Sequence, residues 1–295
     1  MKNQILCGDN LEILTRMETG SVQLVYADPP FNTRASWQAG RGGYNDKWVD
    51  DEYPAGWEWI ALAFPAKSWA YAAFMIPRLL EMKRILADCG HFFLHCDWRE
   101  AGTLRVLCDH IFGFANFKNE IIWKYPKAFT NDGSAGALKI SLFTVAHNSI
   151  FWYRVSARSD DKFMPQYGPY TAKQVREIFH HRTTDGRRFR TRPTRGRTRI
   201  FADEAPGIPL TDVWDLPVAK PLERSGYPTQ KPLSLLARII KCGSEEGDLV
   251  LDPFCGSGTT LLAAKNEGRD YIGIDNNPEA VAVSRRRLDL GDKTD

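Results

Sequence analysis

Apolar residues in this chain fall into short runs separated by stretches of helical spacing, and this alternation stops once before it resumes. Gln4–Cys7 is an apolar run closed by Gly8-Asp9, after which Leu11, Ile13, Leu14 and Met17 recur on one helix face. The pattern predicts strand, turn and helix, with Asn10 placed to cap the helix and Gly20 to end it. Val22–Ala27 reads as a buried strand. The polar and aromatic stretch 32–57 has no period, and so long a segment inside a compact domain reads as a lid that orders over a site. Helix is expected over 69–86, kinked at Pro77, then a strand over 91–96, a helix over 101–111 and strands over 120–123 and 149–153.

From 156 to about 215 the periodicity disappears, and Gly, Pro and Arg dominate. Alternation returns with a helix over 233–241, a strand over 249–251, a helix over Thr259–Asn266, a strand over 271–274 and a helix over 278–288. These elements predict an α/β fold, a doubly wound Rossmann-like sheet with an inserted basic region. Three segments result: 1–155, the insert 156–215, and 216–295. If the strand ending at Leu251 is the first of the sheet and Ile272–Asp275 the second, the chain ends one helix later. Gln4–Cys7 then supplies the third strand and Val22–Ala27 the fourth, beside the first. The expected sheet is therefore circularly permuted.

At 295 residues and 43% apolar, the chain can bury one large core and a smaller unit. No run approaches the ~18 apolar residues of a membrane span. The start carries one Lys and early acids in place of a basic, apolar leader, so no signal peptide is expected. Six cysteines without a C-x-x-C pair argue against a zinc site or a disulfide framework, so no metal is assigned and a reducing cytoplasm is expected. Charge is uneven. Residues 154–199 hold thirteen Arg and Lys against four Asp and Glu, a net +9 that leaves −6 for the rest of a chain of net +3. Such a concentration suits a solvated loop or a polyanion partner.

Two turns carry candidate chemistry. Asp252-Pro253-Phe254-Cys255-Gly256-Ser257-Gly258-Thr259 follows a strand and opens a helix, where Gly256 and Gly258 let backbone approach a ligand and the helix amides face it. Asp275 ends the next strand, near the ~20-residue spacing of an acid that binds ribose hydroxyls. Phe254 and Thr259 belong to the same turn. Leu261 stands where a dinucleotide fingerprint has a small residue, and Gly258-Thr259-Thr260 lacks the lysine of a phosphate loop. Asp252 is available to a charged amino group, and Asp9 either to an adenine amino group or to the helix as a cap.

The second turn is Asp28-Pro29-Pro30-Phe31, also directly after a strand. A carboxylate at Asp28 and the carbonyl of Pro29, both accepting from a ring NH2, favour a pyramidal nitrogen that can attack, and Pro30 stiffens the turn. Phe31 suits stacking on an extruded base. Carbon-5 cytosine chemistry needs a cysteine nucleophile, usually after proline, and no Pro-Cys occurs.

With Asp28 to Phe31 first, the basic segment next and Asp252 to Thr259 last, the chain resembles the beta group of S-adenosylmethionine-dependent DNA amino-methyltransferases. Tyr227-Pro228-Thr229-Gln230-Lys231-Pro232, Leu94 to Arg99, Asn119 to Trp123 and His147 to Ile150 resemble further family blocks. The resemblance implies S-adenosyl-L-methionine as cofactor, Thr229 or Lys231 near its methionine carboxylate, and double-stranded DNA as substrate. It implies a site-specific enzyme that methylates N6 of adenine in a flipped-out nucleotide, because Asp stands where members acting on cytosine often have Ser. It is compatible with a homodimer and with a cognate restriction endonuclease. Arg187, Arg188, Arg190, Arg192, Arg195 and Arg197 are the expected DNA contacts. His95 and His147 are given no catalytic role. The alternatives are N4-cytosine methylation, methylation of RNA or of a protein amide, and a catalytically silent DNA-binding subunit.

Overall fold

A computed structural model describes residues 2–32, 36–37, 44–45, 56–59, 66–125, 145–156, 163–192, 198–219, 223, 225–227 and 230–290. The expected lid over 32–57 lies largely outside them. In chain order the main elements are β1 (Gln4–Cys7), α1 (Asn10–Leu14), β2 (Val22–Ala27), α2 (Ala66–Ile85), β3 (Leu86–Cys96), α3 (Ala101–Cys108), β4 (Phe117–Lys124) and β5 (His147–Arg154). Next come α4 (Ala172–Ile178), β6 (Arg188–Arg192), β7 (Thr198–Phe201), β8 (Val213–Asp215), α5 (Leu233–Gly243), β9 (Leu249–Asp252), α6 (Thr259–Asn266), β10 (Asp270–Asp275) and α7 (Pro278–Leu290).

Two compact units result, Met1–Met164 with Asp212–Asp295, and Pro165–Thr211. The larger holds an eight-stranded sheet in the order β1-β10-β9-β2-β3-β5-β4-β8. From β1 to β3 neighbouring strands are parallel, while β5 is antiparallel to both β3 and β4. All six residues of β2 are buried, as a strand covered on both faces requires. One core cluster joins Val22, Val25 and Ala27 to Tyr71, Met75, Ile76 and Leu79 of α2; another joins Leu24 and Tyr26 to Leu236, Ile239 and Ile240 of α5. Among the described residues no helix is long and apolar enough to cross a membrane, and all six cysteines are free thiols.

Several local expectations are revised. Asp9, not Asn10, caps α1, its carboxylate accepting from Leu11 N at 2.7 Å. Asn10 is the first helical residue and points inward. The helix expected over 69–86 forms as α2, with Pro77 inside it. The helix from Ala101 widens into a single π turn at Asp109–Gly113, where Gly113 at φ +91° stops it. The smaller unit is not irregular. It holds α4, with a capping box at Thr171 and Gln174, and an antiparallel sheet of His181–Arg182, β6 and β7. In β6 Phe189 alone is buried, between a half-buried Arg188 and an exposed Arg190, so a single apolar residue marks the strand.

The β9–α6 turn is fixed from within. Asp252, only 2% exposed, accepts from Phe254 N at 2.9 Å and from Thr260 Oγ1 at 2.5 Å. It therefore shapes the turn, instead of reaching out to an amino group as its sequence position suggested. Burial pushes its carboxyl up to about 7. Gly273 explains how Leu261 fits where a dinucleotide fingerprint has a small residue, because a Cβ on Gly273 would collide with Leu261 Cδ1 and stand 3.0 Å from Cys255 Sγ. The room lies on the strand instead of the helix.

Two predictions follow from this packing. Gly273→Ala loses about 1–3 kcal/mol of stability by overpacking, and combined with Leu261→Ala the losses are less than additive in urea unfolding; strict additivity would contradict the contact. For Asp252 the folded carboxyl titrates above the unfolded value of about 4, so its stabilising contribution is full below that and disappears as pH rises through about 7. The stability difference between the natural chain and Asp252→Asn should therefore decline across that window, and a difference flat from about pH 4 to about 7 would reject it.

Candidate active site

The two turns leave the carboxyl ends of adjacent parallel strands. Leu24 pairs with Val250 and Val25 with Leu251. Strands so paired lie about 4.8 Å apart, so Asp28 and the glycine turn start side by side at the edge where open α/β sheets bind ligands. Asp28 and Asp252 are near enough for the charge of one to raise the carboxyl of the other.

Within the first turn Pro29 is buried, while Asp28, Pro30 and Phe31 are partly accessible. Asp28 Oδ2 forms an ion pair with Lys231 Nζ at 2.5 Å. Its Oδ1 is buried with no hydrogen-bond partner among the described residues. A buried acceptor left unmet costs about 1–3 kcal/mol, and a donor brought to this point removes that cost. Burial raises the Asp28 carboxyl and the Lys231 ammonium opposes the rise.

His95 lies beneath, fully buried, with Nδ1 2.7 Å from Tyr26 Oη and Nε2 2.9 Å from Asn148 Nδ2. Burial first, and then the charge of Lys231, hold the imidazole well below its ordinary range. The ring is therefore neutral. Its 3.9 Å approach to Asp28 Oδ1 is not an ion pair, and its contribution is shape, through a ring contact with Phe31 at 5.7 Å. Asn32, at φ +52°, turns the chain directly after Phe31 and donates from Nδ2 to Glu100 Oε1 at 2.7 Å. Asn is among the few side chains that tolerate this left-handed backbone.

In the second turn the two glycines differ. Gly258, at φ +77°, faces α7, and a Cβ there would lie 2.7 Å from Ser284 Oγ and 2.9 Å from Ser284 Cβ. Its bareness serves helix packing, not approach of a ligand. At Gly256, φ +48°, a Cβ would meet Tyr227 Cε1 at 3.4 Å, so the Tyr227 ring packs against the turn. The Gly256 amide donates to Asp275 Oδ2 at 2.8 Å and Asn277 N donates to Oδ1 at 2.9 Å, which orients the acid at the end of β10. Thr259 is buried, and its hydroxyl accepts from Arg287 at 3.0 Å, so it braces the turn against α7. Phe254 packs its ring 6.4 Å from that of Phe74.

Asp9 is spent on its cap and on Arg78, whose Nη2 reaches both carboxylate oxygens at 3.0 and 2.9 Å. Asn10 continues the chain of contacts, accepting from Arg78 Nε at 2.6 Å and donating to Pro253 O at 2.8 Å. This brace on the glycine turn was invisible in the sequence, since its partners lie 68 and 243 positions away. Tyr227, likewise unassigned, stands against Gly256. Lys231 was expected near a cofactor carboxylate and instead meets Asp28. Thr229, Arg195 and Arg197 lie outside the described residues.

The smaller unit divides the predicted arginines. Arg187 is held by Asp203 and Glu204 at 2.7 and 2.6 Å and lies over the Phe201 ring at 4.1 Å. Arg188 donates to the Phe179 carbonyl at 3.2 Å. Both have partners within the unit. Arg190 and Arg192 project from the same face of β6 and are exposed.

Residues 22–286, spanning both turns, match a family model described as DNA methylase. The DNA adenine methyltransferase YhdJ of Escherichia coli (strain K12) is 28% identical, over 97% of this chain and 82% of that protein. Among solved structures, PvuII DNA methyltransferase (cytosine-N4-specific) aligns with a TM-score of 0.60 at 18% identity, over 98% of this chain and 86% of that one. M1.HpyAVI in its SAM complex aligns with a TM-score of 0.54 at 18% identity, over 97% of this chain and 99% of that one. The extent of the family match, with both turns at one sheet edge, makes this chain a member of the N6/N4 DNA methylase family.

Proposed function

We propose that the chain transfers a methyl group from S-adenosylmethionine to the N6 amino group of adenine in DNA, at an extruded nucleotide. The observation that carries the reading is the buried, unpartnered Oδ1 of Asp28 at the end of β2. When bound beside Gly256 and Asp275, S-adenosylmethionine would supply an electrophilic methyl on a sulfonium, and the amine nitrogen that gains the methyl would release a proton to solvent. Asp28 accepts an N–H of the amine at Oδ1, which turns the nitrogen lone pair out of conjugation with the ring. The Pro29 carbonyl accepts the second N–H, and Phe31 stacks on the base. Neutral His95 carries no charge that would repel a nitrogen becoming cationic.

The residues of the glycine turn suit this cofactor. The turn Gly258-Thr259-Thr260 has no lysine to grip a phosphate, and Asp275, held by the Gly256 and Asn277 amides at the end of β10, is placed to accept from ribose hydroxyls. On the same reading, the order of catalytic turn before glycine turn reflects a circularly permuted sheet. Arg190 and Arg192 are the phosphate contacts of a target-recognition unit. Methylation of cytosine N4 is the second reading, favoured by the likeness to the cytosine-N4-specific fold; adenine is preferred because Asp28 is a carboxylate.

Asp28→Ala should abolish methyl transfer while leaving cofactor affinity, measured by calorimetry, within about threefold, since the carboxylate acts on the amine. Nucleosides from DNA treated with the natural chain should contain N6-methyladenine. N4-methylcytosine would overturn the base assignment alone, whereas unmodified DNA would overturn the whole reading. Arg190→Gln with Arg192→Gln should lower the slope of log affinity against log salt by about 2, because each phosphate contact releases close to one counterion; an unchanged slope moves the contact elsewhere.

A further inference from the structure

Lys231 sits where its sequence context did not place it. Tyr227, four residues earlier, touches the glycine turn, with its ring edge against Gly256 and its hydroxyl raised by burial and by the charge of Asp275. Lys231 instead meets the catalytic turn twice. Its ammonium is 2.5 Å from Asp28 Oδ2 and 5.2 Å from the centre of the Phe31 ring. Both partners of the ion pair are largely withdrawn from water, with side chains 12% and 17% exposed, so the contact is not a screened surface pair.

The amine that Asp28 has to receive brings donors only. A carboxylate answers it with acceptors, whereas a protonated carboxyl presents a hydrogen of its own and opposes it. Burial drives a lone carboxyl toward that protonated form. The groups facing Asp28 among the described residues are Lys231, His95, Tyr26, Asp252 and Cys96. His95 is neutral, Tyr26 and Cys96 are held protonated by burial, and Asp252, when ionised, carries the same sign of charge. Lys231 alone in this set supplies a positive charge.

We propose that Lys231 is a positioning residue for methyl transfer: its ammonium anchors Asp28 Oδ2 and keeps the carboxylate anionic, so that Oδ1 is offered to the incoming amine. The segment from Tyr227 to Lys231 then serves both halves of the site, one end at the glycine turn and the other at the carboxylate. This inference rests on the methyl-transfer reading given above, and its role differs from holding the carboxylate of a cofactor.

The test compares the full-length natural chain with Lys231→Met and Lys231→Arg, each checked for an unchanged melting profile. Single-turnover transfer of labelled methyl to unmethylated DNA is followed against pH. Lys231→Met should move the acid limb upward by about one unit or more, so that the rate near pH 6 falls about tenfold further than the rate near pH 9. Lys231→Arg should return the limb toward its natural position. Independently of activity, the side-chain carboxyl 13C resonance of Asp28, identified by its loss in Asp28→Asn, should titrate at higher pH in cofactor-free Lys231→Met than in the natural chain. An unshifted limb and an unshifted resonance, with weaker cofactor binding alone, would overturn the proposal and make Lys231 a cofactor ligand. A shifted resonance in a chain that methylates no DNA would uphold the ion pair's effect and reject the methyl-transfer reading instead.

Discussion

The parallel pairing of β2 with β9 is the constraint on which the site depends. It joins residues more than two hundred positions apart, Leu24 to Val250 and Val25 to Leu251, and so makes two turns begin at one sheet edge. Neither turn has a complete chemistry alone. The first offers an acceptor and a stacking ring, and the second a cradle and an acid at the next strand end. Backbone hydrogen bonding between the strands fixes their relative register before any ligand arrives, which is the kind of preorganisation that lowers a barrier without reorganisation during reaction.

Around that pairing, polar side chains are used mostly to hold turns rigid. Asp252 ties Phe254 N to Thr260, Arg287 and Ser284 brace the glycine turn from α7, and Asn10 with Arg78 braces it from α1 and α2. Asn32 and Glu100 do the same for the chain leaving Phe31. Against this background of satisfied groups, Asp28 Oδ1 stands out because it is buried and unanswered among the described residues. Buried polar groups in folded proteins are paired as a rule, and an exception at the mouth of a sheet is a functional signal.

The elements that form the core were legible because their apolar period is undiluted. Val22–Ala27 and Thr259–Asn266 read from the sequence with the bounds the fold gives them, and the neighbour relation of β2 and β9 followed from counting strands. The motif residues were also legible as positions, but their tasks were not. Asp9, Gly258 and Thr259 meet residues of other helices, respectively Arg78, Ser284 and Arg287, and no local spacing announces those contacts, while Asp252 turns back on its own turn and on Thr260. The strands of the smaller unit escaped notice because β6 buries one apolar residue, Phe189, among Arg and Thr, and so carries no apolar period. Lys231 was legible as functional, yet which half of the site it serves depends on a three-dimensional path.

A crystal structure with a non-reactive S-adenosylmethionine analogue and an adenine-containing oligonucleotide tests the central claim most directly. The predicted result is an analogue at the glycine turn beside Gly256 and Asp275, an adenine amino group on Asp28 Oδ1, and about 3–3.5 Å between that nitrogen and the position of the transferable methyl. An analogue bound away from the glycine turn, or a base amine remote from Asp28, would contradict it.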